Sequence, residues 1–162
     1  MRPTWIKPLS GVAVTVLCAL ALAIVARAQG PDPIVGTWKM DVAKSTYKPG
    51  PAPKSATVVI TGEGKGIKVA VDAMMPSGPL QWGYSSARDG KDAPVTGNPN
   101  YDTANVTMVS PHEGTIVYKK AGKTVATTKT SVSKDGKTMT VTSSGTDAKG
   151  QEFNNVGHYT KQ

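Results

Sequence analysis

One pattern constrains this chain more than any other: from Ile34 onward, apolar residues alternate singly with Thr, Ser and Lys. Gly, Pro, Asp and Asn interrupt the alternation every dozen or so residues. A period of two gives each segment one apolar face, as in half-buried antiparallel strands joined by tight turns. A first strand is expected around Ile34 to Met40, and another over Thr57–Thr61, turned by Glu63-Gly64-Lys65-Gly66. Ile67, Val69, Val71 and Ala73 share a face of the next. Leu80, Trp82 and Tyr84 share a face of a strand that ends at Asp89-Gly90, a strong hairpin signal. Further strands run through Val106 and Met108, Ile116 and Tyr118, Val125 to Val132, Met139 and Val141, and Phe153 to about Thr160. Thr and Val suit such a pleated, half-buried surface. Lys48–Pro53 reads as an extended connection, because proline fixes φ and biases its predecessor away from helix. Asp89 to Asp102, with Pro94, Gly97 and Pro99, reads as a long loop.

The expected fold is therefore all-β, an antiparallel up-and-down meander of about eight to nine strands. An open sheet of that length leaves two edges free to pair with other chains, and closing it into a barrel removes them. Two packed sheets are the other arrangement that one apolar face per strand allows.

The first 28 residues are of a different kind. Arg2 and Lys7 precede an uncharged run from Leu9 through Val25, and Ala26-Arg27-Ala28 follows. Positive start, apolar centre and small residues at the end make a secretory signal helix, cut after Ala28. An uncleaved anchor is the alternative, since the run reaches the ~17-residue lower limit of a spanning helix. Cleavage implies export to the periplasm or the extracellular space. It leaves residues 29–162 as a single domain, expected to be monomeric and without stable membrane insertion. Cys18, the only cysteine, follows Val16-Leu17 rather than the small residue that lipid attachment requires, and leaves with the signal. No disulfide, thiol nucleophile or Cys metal ligand is then available.

The signal carries three of the 19 Lys and Arg residues and none of the 11 Asp and Glu residues, so the remainder has a net charge of +5. That excess suits anionic surroundings. The lysines are scattered, with no basic stripe interleaved with aromatics, which argues against a nucleic-acid partner.

Catalytic chemistry finds no foothold. Glu63, Asp89, Asp92, Glu113, Asp135 and Asp147 fall in or beside expected turns, where acidic residues are ordinary turn chemistry. Asp72 sits mid-strand, in opposite phase to Val69 and Val71. His112 and His158 neighbour no second ligand at metal-binding spacing, and no Gly-x-Ser-x-Gly elbow occurs. Asn98-Pro99-Asn100-Tyr101-Asp102 alternates oxygen ligands as calcium loops do. It lacks the glycine at the sixth position and the glutamate at the twelfth, where Val109 stands. Neither an enzyme nor a metal or cofactor is expected.

At Gly36-Thr37-Trp38 the chain resembles the calycins, the lipocalins and fatty-acid-binding proteins, whose up-and-down barrels begin with Gly-x-Trp. The resemblance implies a lipocalin-like barrel closed at one end by Trp38, with Lys161 as the cation over the indole and Gly36 letting the backbone pass close to the ring. The fatty-acid carriers place a helical lid where Pro49 to Pro53 stands here. Their Arg-x-Tyr carboxylate clamp is also missing, because Gly157 precedes Tyr159 and Arg88 is the only arginine after the signal. A wider pattern joins Gly36-Thr37-Trp38-Lys39, Pro49-Gly50-Pro51-Ala52-Pro53-Lys54-Ser55 and Asn154-Asn155-Val156. It is similar to a group of small secreted bacterial proteins to which no activity is attached.

The inward face remains. Trp82, Tyr84, Met108, Tyr118, Met139, Val141 and Phe153 either line a cavity or fill the interior. The first case makes the protein an exported binder of a small apolar or amphipathic ligand. The second makes it a non-catalytic envelope or extracellular interaction module with a packed core.

Overall fold

The computed structural model describes residues 30–162, so the signal segment, with Trp5 and Cys18, lies outside the described residues. The strands are β1 (Gly36–Lys48), β2 (Ser55–Glu63), β3 (Gly66–Met75), β4 (Gly78–Ser86) and β5 (Asp89–Thr96), followed by β6 (Thr103–Ser110), β7 (Glu113–Lys120), β8 (Lys123–Val132), β9 (Thr138–Thr146) and β10 (Glu152–Lys161). Each pairs antiparallel with the next, and β10 pairs with β1 through Trp38↔Lys161 and Met40↔Tyr159. The meander is a closed up-and-down barrel, not two packed sheets. Lys39, Lys68 and Lys129 are exposed on its outer face, while the apolar members of the same strands turn inward. That is the reverse of a membrane-spanning barrel.

The strand count is one higher than the alternation suggested. β5 lies inside the segment read as a loop, and the true β4–β5 turn is Ala87-Arg88, with Arg88 at φ 59°. Asp89-Gly90 therefore begins a strand instead of ending one. Pro94 obscured this, because a proline in a run argues against a strand interior. Here Pro94 is exposed, and β5 meets β4 only at Gly83↔Thr96 and Tyr84↔Val95, so little ladder bonding is forfeited. β1 is also longer than expected. It continues past a bulge between Asp41 and Thr46, where the Ser45 hydroxyl donates to Asp41 O (2.7 Å) and accepts from His158 N–H (3.0 Å).

The interior has two levels. Towards the end holding Gly30–Val35, the walls carry Trp38, Ile60, Ile67, Val132 and Met139, all buried, and Ile34 enters from the N-terminal segment. Towards the other end, cross-strand neighbours form a collar of small residues. Ala56 faces Ala73, Ala93 faces Ala104, and Ala126 faces Gly145. Short walls leave room for large rings, and Trp82, Tyr84, Tyr101 and Tyr118 fill it. Tyr101, from the loop after β5, stacks on Tyr118 at 4.5 Å between centroids and meets Trp82 edge-on at 6.2 Å. Alternating large and small inward residues is how a small barrel accommodates its taper.

Candidate functional site

The first end is fastened by a few polar contacts around an apolar plug. Trp38 is fully buried, and its indole Nε1–H donates to Ile34 O at 2.8 Å, so the ring's only polar atom is satisfied. Lys161 Nζ lies 4.8 Å from the ring centroid and donates to Pro33 O (2.9 Å) and Val35 O (2.8 Å). The ammonium is thus held by two carbonyls and the π face together. Gly36, at φ 147°, clears space for a different group from the one expected. A Cβ there would lie 3.0 Å from Lys161 Cε, so the glycine admits the lysine stem. Arg88 completes the fastening: it ion-pairs with Asp32 and donates to Lys65 O at 3.1 Å. Sequence reasoning gave Arg88 no role. A lone arginine in a turn becomes informative only once the fold brings the N-terminal segment to it.

Between the two levels lies an internal cavity of about 130 Å³. Trp82, Tyr84 and Tyr118 border it on the aromatic side, Ile34 and Ile60 towards the plug, and Met108, Met139 and Val141 around the wall. Phe153, grouped with these on the sequence, stands apart. It pairs opposite Gly145 in the collar and borders a shallow outer hollow beside Pro49. Tyr159 is a lining residue that the sequence reading missed. Its signal was the phase of β10, which turns Gly157 and Tyr159 to the buried side. A Cβ at Gly157 would come within 2.9 Å of Tyr159 Cε2, so the glycine lets that ring lie across the strand, beside Tyr47.

The cavity's polar groups are hydroxyls. Thr128 Oγ1 pairs with Ser143 Oγ at 2.8 Å, and Thr130 Oγ1 donates to Gly114 O at 3.3 Å. Burial pushes the Tyr84 phenol up to about 12, and holds those of Tyr118 and Tyr159 well above the usual range, with neighbouring tyrosines adding to the effect. All three are neutral donors at any ordinary pH. The bordering side chains include no ionisable acid or base apart from these phenols.

The acidic and histidine residues do not converge. Asp102 Oδ2 accepts from Ala121 N–H (2.7 Å) and Asn98 Oδ1 from Asn100 N–H (2.9 Å), so the calcium-like run is occupied with turn bonds. Asp72 is exposed and accepts from Gln81 Nε2 at 3.0 Å. His112 N–H donates to Ser110 Oγ in the β6–β7 turn, while His158 Nδ1 lies 3.5 Å from Thr140 Oγ1, three strands along the wall. Among the described residues no three His, Cys, Asp or Glu side chains come together. Two larger hollows, of about 1250 Å³ over the plug end and about 650 Å³ on the outer face of β2–β5, are open to solvent.

No protein-family model and no curated protein matches the chain. Among solved structures, the siderocalin Ex-FABP, described as functioning through dual ligand specificities, is similar at 11% identity and a TM-score of 0.36, over 80% of this chain and 74% of that one. At that distance nothing carries across from it, and the barrel rests on the strand pairing described above.

Proposed function

We propose that this protein is an exported, lipocalin-like binding protein, without catalytic activity of its own, that holds a small apolar or amphipathic molecule inside its barrel. One observation carries the reading. A closed barrel with an apolar, aromatic-rich interior retains an internal volume, and a few oriented hydroxyls border it, as small-molecule sites commonly do. The signal-like first 28 residues support export. Organic extraction of the purified protein followed by mass spectrometry, with a ligand screen by tryptophan fluorescence, tests this. A co-purifying compound that quenches or shifts emission is expected, because Trp82 borders the cavity. A protein that yields no compound and answers none in the screen contradicts it.

A second reading is favoured by the size of that volume. At about 130 Å³ it lies below the ~300–1,000 Å³ of ordinary ligand pockets. On this reading the barrel is a packed scaffold and its outer Thr and Lys faces contact an anionic envelope partner. Pull-down at low and high salt separates the two, since screening removes charge-driven partners and leaves an enclosed ligand in place.

A further inference from the structure

The cavity's size, its lack of charge and its aromatic cover together restrict what it can hold. A ~150 Å³ apolar cavity engineered into an unrelated protein stays dry and admits benzene or xenon. The volume here, about 130 Å³, is of the same order. A long acyl chain needs several times that space, and the collar that would have to receive its remainder is occupied. The rings of Trp82, Tyr84, Tyr101 and Tyr118 fill it, with neighbouring centroids 4.5 to 6.3 Å apart. Charge points the same way. An ionised carboxylate enters a low-dielectric interior only with a counter-ion or a full set of donors. The nearby cations are committed elsewhere: Lys161 Nζ to Pro33 O, Val35 O and the outer side of Trp38, and Arg88 to Asp32. Of the hydroxyls, those of Thr128 and Thr130 already have partners. The phenols of Tyr84 and Tyr118 are neutral and engage each other, so between them they leave a ligand a single donor on the aromatic side.

We infer that the interior site takes an uncharged molecule of single-ring size, such as a simple arene or phenol, and excludes fatty acids and other long-chain anions. This rests on the interior-binding reading and narrows it from apolar or amphipathic to small and neutral. Such a ligand sits against Val106, Ile116 and Met139, with its ring or single hydroxyl towards Tyr84 and Tyr118. Tyr101 stands behind Tyr118 and sets the limit on length.

The test titrates the purified protein with benzene, phenol and dodecanoate, following methyl resonances by NMR and heat by calorimetry. Benzene and phenol are expected to shift the Val106 and Ile116 methyls and leave those of exposed Val59 and Val109 unchanged. Dodecanoate is expected neither to bind inside nor to displace them. In Val141→Phe, which projects a ring into the cavity, benzene affinity should fall at least about tenfold. Should that variant not fold, the methyl shifts of the wild-type protein decide alone. If dodecanoate binds inside and displaces benzene, the inference on size and charge is overturned while interior binding stands. If none of the three moves an interior methyl, both fall. Benzene shifts confined to the outer methyls likewise overturn the inference.

Discussion

The two ends of this barrel are closed by opposite means. At the first, one large residue, Trp38, is sealed by a strap of backbone: Ile34 O, Pro33 O and Val35 O accept from the indole and from Lys161, and Arg88 clamps Asp32. At the other, the walls shrink to alanine and glycine, and four aromatic rings from two strands and a loop fill the opening. The first end is fixed by specific, directional contacts, so its stability is concentrated in a few residues. The second depends on shape, spread over several rings and the small residues that make room for them. The two ends therefore yield in different ways. A strapped end opens only by breaking named bonds, while a stacked end opens by moving one ring on a loop.

The largest expected effect breaks the aromatic end by ionising it. The phenols of Tyr47, Tyr84, Tyr101, Tyr118 and Tyr159 are all raised above their ordinary value by burial, that of Tyr84 to about 12. A raised folded-state pKa contributes stability in full below the unfolded value near 10. That contribution is lost as pH rises towards the folded value, because the unfolded chain releases its protons first. Tyrosinate absorbance should therefore appear in one cooperative step together with loss of circular dichroism. Gradual titration near pH 10 with the fold retained would show these rings to be exposed.

Next comes the strapped end. Trp38→Ala removes a fully buried aromatic and should cost about 3–5 kcal/mol in urea unfolding. Lys68→Ala, on the exposed face, should stay within ~0.5 kcal/mol of wild type. If the two variants behave alike, concentrated stability is not a property of this end. The collar is tested by adding atoms. Ala104 is completely buried opposite Tyr118, so Ala104→Leu should destabilise by about 1–3 kcal/mol despite its greater hydrophobicity. A neutral or stabilising result would mean that the collar is loosely filled. The smallest effect belongs to Lys161→Met, which keeps the stem past Gly36 and removes the charge over Trp38. Loss of the cation–π contact and of the carbonyl bonds should lower stability by roughly 1–2 kcal/mol, read from the same urea midpoints.

Alternation made nearly all of the wall legible. Nine of the ten strands were placed from it, because a strand with one wet and one dry face writes a period of two. β5 was not, since Pro94 and Asp89-Gly90 are turn signals by composition, and only barrel closure draws that segment into the sheet. Trp38 and Lys161 could be paired in advance through the Gly-x-Trp resemblance. The part played by Gly36 could not, because it depends on how a side chain from the far end of the chain crosses it. Trp82, Tyr84, Met108, Tyr118, Met139 and Val141 stood out as large inward residues at regular phase. Tyr101 and Tyr47 did not, because one lies on a loop and the other beyond the β1 bulge, where phase is lost. Arg88 and Asp32 are 56 residues apart, and their pairing has no local signature.

The strapped end and the stacked end enclose an empty, apolar space between them. A crystal of the purified protein pressurised with xenon tests it most directly, since xenon enters dry cavities of this size. A xenon site is expected inside the barrel among Val106, Ile116, Tyr118 and Met139, with the surrounding side chains unmoved. An interior packed solid, or ordered water hydrogen-bonded among the tyrosine hydroxyls in its place, would contradict it.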